Sequence, residues 1–152
     1  MADPMFTIEY DDRAIQEKIQ ALAKKTRSAG GLSVTIGTNV GYMADHQLGI
    51  NGQVQRRFLG VGEKDRREIL AILEENLADD TATLRTGFSE IGEYMVLSTD
   101  QNFENETDPD GNPWAPNNPF YAAQKVKSGG IGKVLQRTGR GRGSIAYQVR
   151  GG

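Results

Sequence analysis

The apolar positions of this chain change period several times, and each change marks an element. Ile15, Ile19 and Leu22 recur at i, i+4 and i+7, one apolar stripe on a helix, so a helix is expected near residues 12–25, capped by Asp11 or Asp12. Before it, Phe6-Thr7-Ile8-Glu9-Tyr10 alternates as a short strand; after it, Arg27-Ser28-Ala29-Gly30-Gly31 punctuates the chain. Leu32–Gly37 alternates with β-branched residues and reads as a strand, whereas residues 38–57 have weak periodicity and read as loop. From Glu63 the run EKDRREILAILEENLADD predicts a helix with Ile69, Ile72, Leu73 and Leu77 on one face and acids at its start, where the helix dipole favours them. A second helical pattern passes through Leu84, Phe88, Ile91 and Met95 toward Phe103, with Asp80 or Thr81 available as its cap. The two helices make either a hairpin or one kinked rod. Four of the five prolines fall in residues 105–119, which must be a loop. Residues 121–126 are ambiguous, 135–143 are rich in glycine and arginine, and Ser144–Val149 alternates as a half-buried strand. The expected fold is α+β: about three helices packed on a small, mainly antiparallel sheet of at least three strands, with a long Pro/Gly-rich loop.

At 152 residues this is one domain, large enough to bury a core. Met5 reads as a natural start and residues 1–4 as an addition made for expression, leaving 5–152 as a single domain. With no cysteine, disulfides and thiol chemistry are excluded. No basic-then-apolar leader and no membrane-length apolar window is visible, so synthesis in the cytoplasm is the default. The formal net charge of −2 hides an asymmetry: residues 62–119 carry 14 acids against four cations, and residues 120–152 carry seven cations and no acid. Such a split predicts charge matching within the domain, between copies, or toward nucleic acid.

Little of this supports catalysis. His46 is the only histidine and has only Asp45 beside it, short of a zinc site or a triad. Asp108-Pro-Asp110-Gly-Asn112 has the start of a calcium loop but lacks the downstream glutamate, and reads as an Asp-Gly turn. Gly37–Gly41 follows a strand but lacks a phosphate-loop pattern and has no clear helix after it. Neither a metal nor a cofactor is expected. Trp114, between Pro113 and Pro116, suits either an anchor at a subunit interface or a plug in its own core. The run Thr138–Gly143, with its arginines, suits contact with phosphates or an ordinary solvated loop.

Several blocks taken together resemble the phage virion morphogenesis family, the Mu-type tail completion proteins. One block is Phe103-Glu104-Asn105-Glu106 leading into Pro109–Trp114, then Val134–Gly139 with Ser144-Ile145. The other is Val34–Asn39 with Tyr42-Met43-Ala44, His46–Gly49, and Arg56–Gly60 before a helix rich in Glu and Leu. The 53–60 segment lacks the two prolines usual in the family. The order of the blocks also departs: the family places the first before the second, and this chain reverses them. Gly30-Gly31 and Gly151-Gly152 look like halves of one opened hairpin turn, and Asp79-Asp80-Thr81 like a new join. A rearranged, circular-permutant-like member follows, natural or engineered, whose first helix is a candidate for exchange between copies.

The resemblance implies a structural, non-enzymatic role in tail completion or head-tail joining. It further implies a homo-oligomeric ring, other tail or junction proteins as partners, and a route from host cytoplasm into the virion. Trp114, Arg56 and Phe58 are the expected interface residues, and Arg137, Arg140 and Arg142 the basic contact loop. The competing reading is a nucleic-acid-binding module using the basic C-terminal segment.

Overall fold

Asp12 starts the first helix: its Oδ1 accepts the Ile15 amide at 3.1 Å, and Arg13–Lys25 (α1) follows. The computed structural model describes residues 11–25 and 31–151. The expected strand at 6–10, residues 1–4, most of the punctuation at 27–31 and Gly152 lie outside the described residues. β1 (Ser33–Gly37), α2 (Gly41–Leu48), α3 (Glu63–Ala78), α4 (Leu84–Asn105), α5 (Pro119–Lys127), the single turn α6 (Arg140–Gly143) and β2 (Ala146–Arg150) complete the order. The class is α+β as expected, with six helices and one two-stranded antiparallel sheet among the described residues.

The helix count differs from the expectation for local reasons. α2 occupies part of the stretch read as loop, because its buried face is only Met43 and Gln47, and a buried glutamine carries no apolar signal. α5 resolves the ambiguous stretch: Asn118 caps it, Pro119 sits in its first turn where no amide is needed, and its one buried side chain is Lys125. α3 and α4 are separate helices, and the cap of α4 is Thr83, whose hydroxyl accepts the Thr86 amide at 3.1 Å, not Asp80 or Thr81.

Two cores result. In the first, Ile15 and Leu22 of α1 meet Ile69 and Leu73 of α3 and Leu84, Phe88, Ile91 and Met95 of α4. Each such side chain removed from water contributes about 1.5–3 kcal/mol. Inside it Asp65 is fully buried and accepts from Gly62 N (2.9 Å), Tyr94 Oη (3.0 Å) and Ser98 Oγ, tying the start of α3 to α4. The second core gathers Val40, Met43, Phe58, Leu59, Phe103, Trp114, Val134 and Ile145, with Ile36 packed against both. α4, about 33 Å long at 1.5 Å per residue, runs through the two. The sheet lies across it, and Gly92 lets Tyr147 of β2 approach: a Cβ there would stand 2.2 Å from the ring. The strands pair Ser33 with Arg150 and Gly37 with Ala146, which brings Gly31 against Gly151, both at positive φ. The same end of the sheet lies beside the start of α4, where Arg85 donates to the Gly151 carbonyl. Lys25 Nζ donates to the carbonyls of Asn76, Leu77 and Asp79, so α1 ends beside the turn that joins α3 to α4.

Candidate interaction site

The second core is held together by polar side chains acting on backbone. Gln47 of α2 accepts the amides of Phe58 and Leu59 at 2.9 and 3.0 Å and donates to the Leu59 carbonyl at 2.8 Å, so one amide does for residues 58–59 what a neighbouring strand would do. Asn102 of α4 donates to the Phe58 carbonyl, and Gln136 to that of Phe103. Trp114 packs edge-on against Phe103, with ring centroids 5.4 Å apart, and its indole N–H donates to the Arg57 carbonyl at 2.7 Å. The loop before it is folded by Asp108, whose Oδ1 accepts the amides of Asp110 and Asn112 at 2.9 Å each. That carboxylate is therefore engaged by its own turn.

Phe58 has no exposed surface and Trp114 only 7%. Both expected interface rings belong to the interior, where their partners are already in place, and they shape the surface above without presenting an edge to it. Arg56 is different. Only 8% of it is exposed, its Nε and Nη2 donate to the carbonyls of Ala115 and Pro116 at 2.7 and 3.0 Å, and it forms part of the wall of a cleft of about 580 Å³. That size is within the range of about 300–1,000 Å³ typical of binding sites. The wall also includes Tyr42 and His46 of α2, Tyr121 and Lys125 of α5, and Arg137 and Arg140 from the basic segment. Lys125 is 3% exposed and donates to the Lys133 carbonyl.

The cleft is electropositive. Among the described residues no carboxylate lines it, and none forms an ion pair with Arg56, Lys125, Arg137 or Arg140. Burial lowers the pKa of Lys125, as do the neighbouring Arg137 and Arg56, against the opposing pull of Glu106. Burial, then Arg56, holds His46 below the ordinary imidazole value, and its Nδ1 is a buried nitrogen with no hydrogen-bond partner. Arg142, expected with Arg137 and Arg140 as a contact residue, is spent internally. It forks onto Asp100 at 2.6 and 2.9 Å, which holds that carboxyl below its usual range, and reaches Glu104 at 2.9 Å, whose carboxyl is held low first by Lys133 and then by Arg142. Lys133 is likewise paired with Glu104. Part of the charge split in the sequence is thus settled inside the domain, and three of the seven cations of the basic segment, Lys125, Arg137 and Arg140, line the cleft.

Sequence reasoning missed Lys125, Tyr42 and Tyr121. α2 was not expected, α5 was unassigned, and nothing local shows that the two helices face one cleft.

No curated protein and no solved structure matches the chain. No helix among the described residues is long and apolar enough to cross a membrane. One family model, described as the phage virion morphogenesis family, matches residues 75–151, just over half of the chain. Its span takes in α4, the Trp114 loop, α5, the basic segment and β2, all but the α2 side of the cleft, and on that match the chain belongs to the phage virion morphogenesis family.

Proposed function

We propose that this protein is a non-enzymatic structural component of the Mu-type tail completion kind. It is made in the host cytoplasm and built into the virion at the tail end or the head-tail junction as a homo-oligomeric ring. The family match over residues 75–151 carries the reading, because the matched stretch supplies both the Trp114 frame and most of the electropositive cleft above it. The polar anatomy of the second core supports it. Buried amides of Gln47, Asn102 and Gln136 fix backbone positions and so give a surface of set shape, as an assembly part requires.

The test is genetic and compositional. Mass spectrometry of purified virions is expected to find the protein at a fixed low copy number, and infection without the gene to leave unjoined or unfinished particles. Normal infectious particles lacking the protein would sink this reading.

The reversed order of the family blocks is a rearrangement of connectivity with packing retained. Three proximities support it: Gly31 against Gly151, Ser33 paired with Arg150, and the end of α1 beside the α3–α4 turn. A cut and two joins among such neighbours need only short connections.

A further inference from the structure

The exposed apolar side chains are unevenly placed. Nine large ones are at least 43% exposed among the described residues, and eight of them belong to two segments, 42–54 and 120–131. These are Tyr42, Leu48, Ile50 and Val54 on one side and Phe120, Tyr121, Val126 and Ile131 on the other. Both segments contribute to the wall of the electropositive cleft. Of the eight, Tyr42 and Tyr121 line the cleft itself, beside Arg137 and Arg140, and the other six belong to the same two wall-forming segments. Tyrosine and arginine at a concave site, with exposed apolar side chains on the segments that build it, have the composition of a protein interface. A nucleic-acid surface would instead carry its cations along an exposed track, yet here Arg56 and Lys125 are sunk in the floor, and Lys133 and Arg142 are paired internally.

The cations that remain need acids, and this chain displays them. On α3, Glu68 and Glu75 lie two turns apart on one exposed face, and Asp79 and Asp80 continue past its end. No ion pair engages Glu68 or Glu75 among the described residues. The acidic stripe stands on the first core and the cleft on the second, so they are different patches of one surface. Two unlike, complementary patches are what head-to-tail contacts use, and such contacts make a ring where the rotation between copies closes and an open filament where it does not.

We propose that the cleft bounded by α2, α5 and the 137–141 segment receives the acidic face of α3 from a second copy of this chain. Arg137 and Arg140 meet Glu68 and Glu75 at the rim, and Tyr42, Phe120 and Tyr121 bury apolar surface around them. The proposal rests on the ring reading above and names its contact.

The experiment is solution mass by light scattering on the full chain, at low and high salt. It compares wild type, the cleft variant Arg137→Glu/Arg140→Glu, the stripe variant Glu68→Lys/Glu75→Lys, and an equal mixture of the two. All four substituted side chains are exposed, and circular dichroism and thermal melts confirm that each variant folds. Wild type is expected to be an oligomer that loosens with salt. Each variant alone is expected to self-associate about 100-fold more weakly, and the mixture to reassemble, since opposite charges then meet at every contact. A wild-type oligomer whose mass is unchanged by either reversal overturns this contact and leaves the ring intact. A stripe variant that assembles normally while the cleft variant does not overturns the named occupant. A monomeric wild type overturns the ring reading itself. Fluorescence anisotropy with a labelled single-stranded oligonucleotide completes the test: tight binding that depends on Arg137 and Arg140 would assign the cleft to nucleic acid and overturn the proposal.

Discussion

Gln47 is the side chain on which the interaction site most depends. Its amide satisfies two backbone donors and one acceptor of residues 58–59, and it lies 96% buried, so water cannot replace it. Replacing it with leucine keeps the volume but leaves three polar groups unpaired. Gln47→Leu is therefore expected to cost roughly 3 kcal/mol or more, seen as a lower urea midpoint at unchanged slope. A loss under about 0.5 kcal/mol would mean that residues 58–59 find other partners. Single residues also mark where sequence reading stops. The apolar stripe of α1 and the Ile69/Leu73 face of α3 are visible because burial there follows hydropathy. Asp65, Gln47 and Lys125 invert that rule, and their burial becomes intelligible only once their hydrogen-bond partners, 8 to 29 residues further along the chain, are known. The same holds for Arg142: the basic run is plain in the sequence, but its capture by Asp100, 42 residues away, is not.

At the scale of elements, α4 organises the molecule, and the glycine at its middle lets the sheet lie close. Gly92→Ala would gain about 1 kcal/mol of helix propensity, yet it drives a methyl into the Tyr147 ring. The overpacking cost, about 1–3 kcal/mol, wins, so the variant is expected to be destabilised. In a Tyr147→Ala background the same change should be neutral or stabilising, and this reversal of sign in denaturant unfolding is the check. Equal losses in both backgrounds would mean that the ring does not set the cost. α4 itself was legible from its spacing, but its cap was misplaced by two or three residues because Asp79, Asp80, Thr81 and Thr83 are all competent caps. α2 was hidden and α5 unresolved for a related reason: the exposed faces of both carry the aromatic and aliphatic residues that periodicity assigns to a core. A helix that shows its apolar side to a partner looks irregular when only its own chain is considered.

The whole molecule bears on the order of its segments. A chain written as residues 1–25, 81–152 and 30–80 joins α1 to α4 directly, closes the Gly151–Gly31 turn, and opens the turn after Asp79. Because those ends already adjoin, it is expected to fold with the same circular dichroism and a melting temperature within a few degrees. An aggregated or molten product would count against the rearrangement. The two-core plan has another consequence. The cleft hangs on the second core, and the cores share the length of α4 and the side chain of Ile36. A copy seated in the cleft would therefore tighten the Phe58–Trp114 half first, and only through that helix the half built on α1 and α3. Amide exchange would then mark each successive docking event as a step in protection that begins at residues 56–60 and spreads along the rod, so that a growing assembly keeps a local record of which sites are filled.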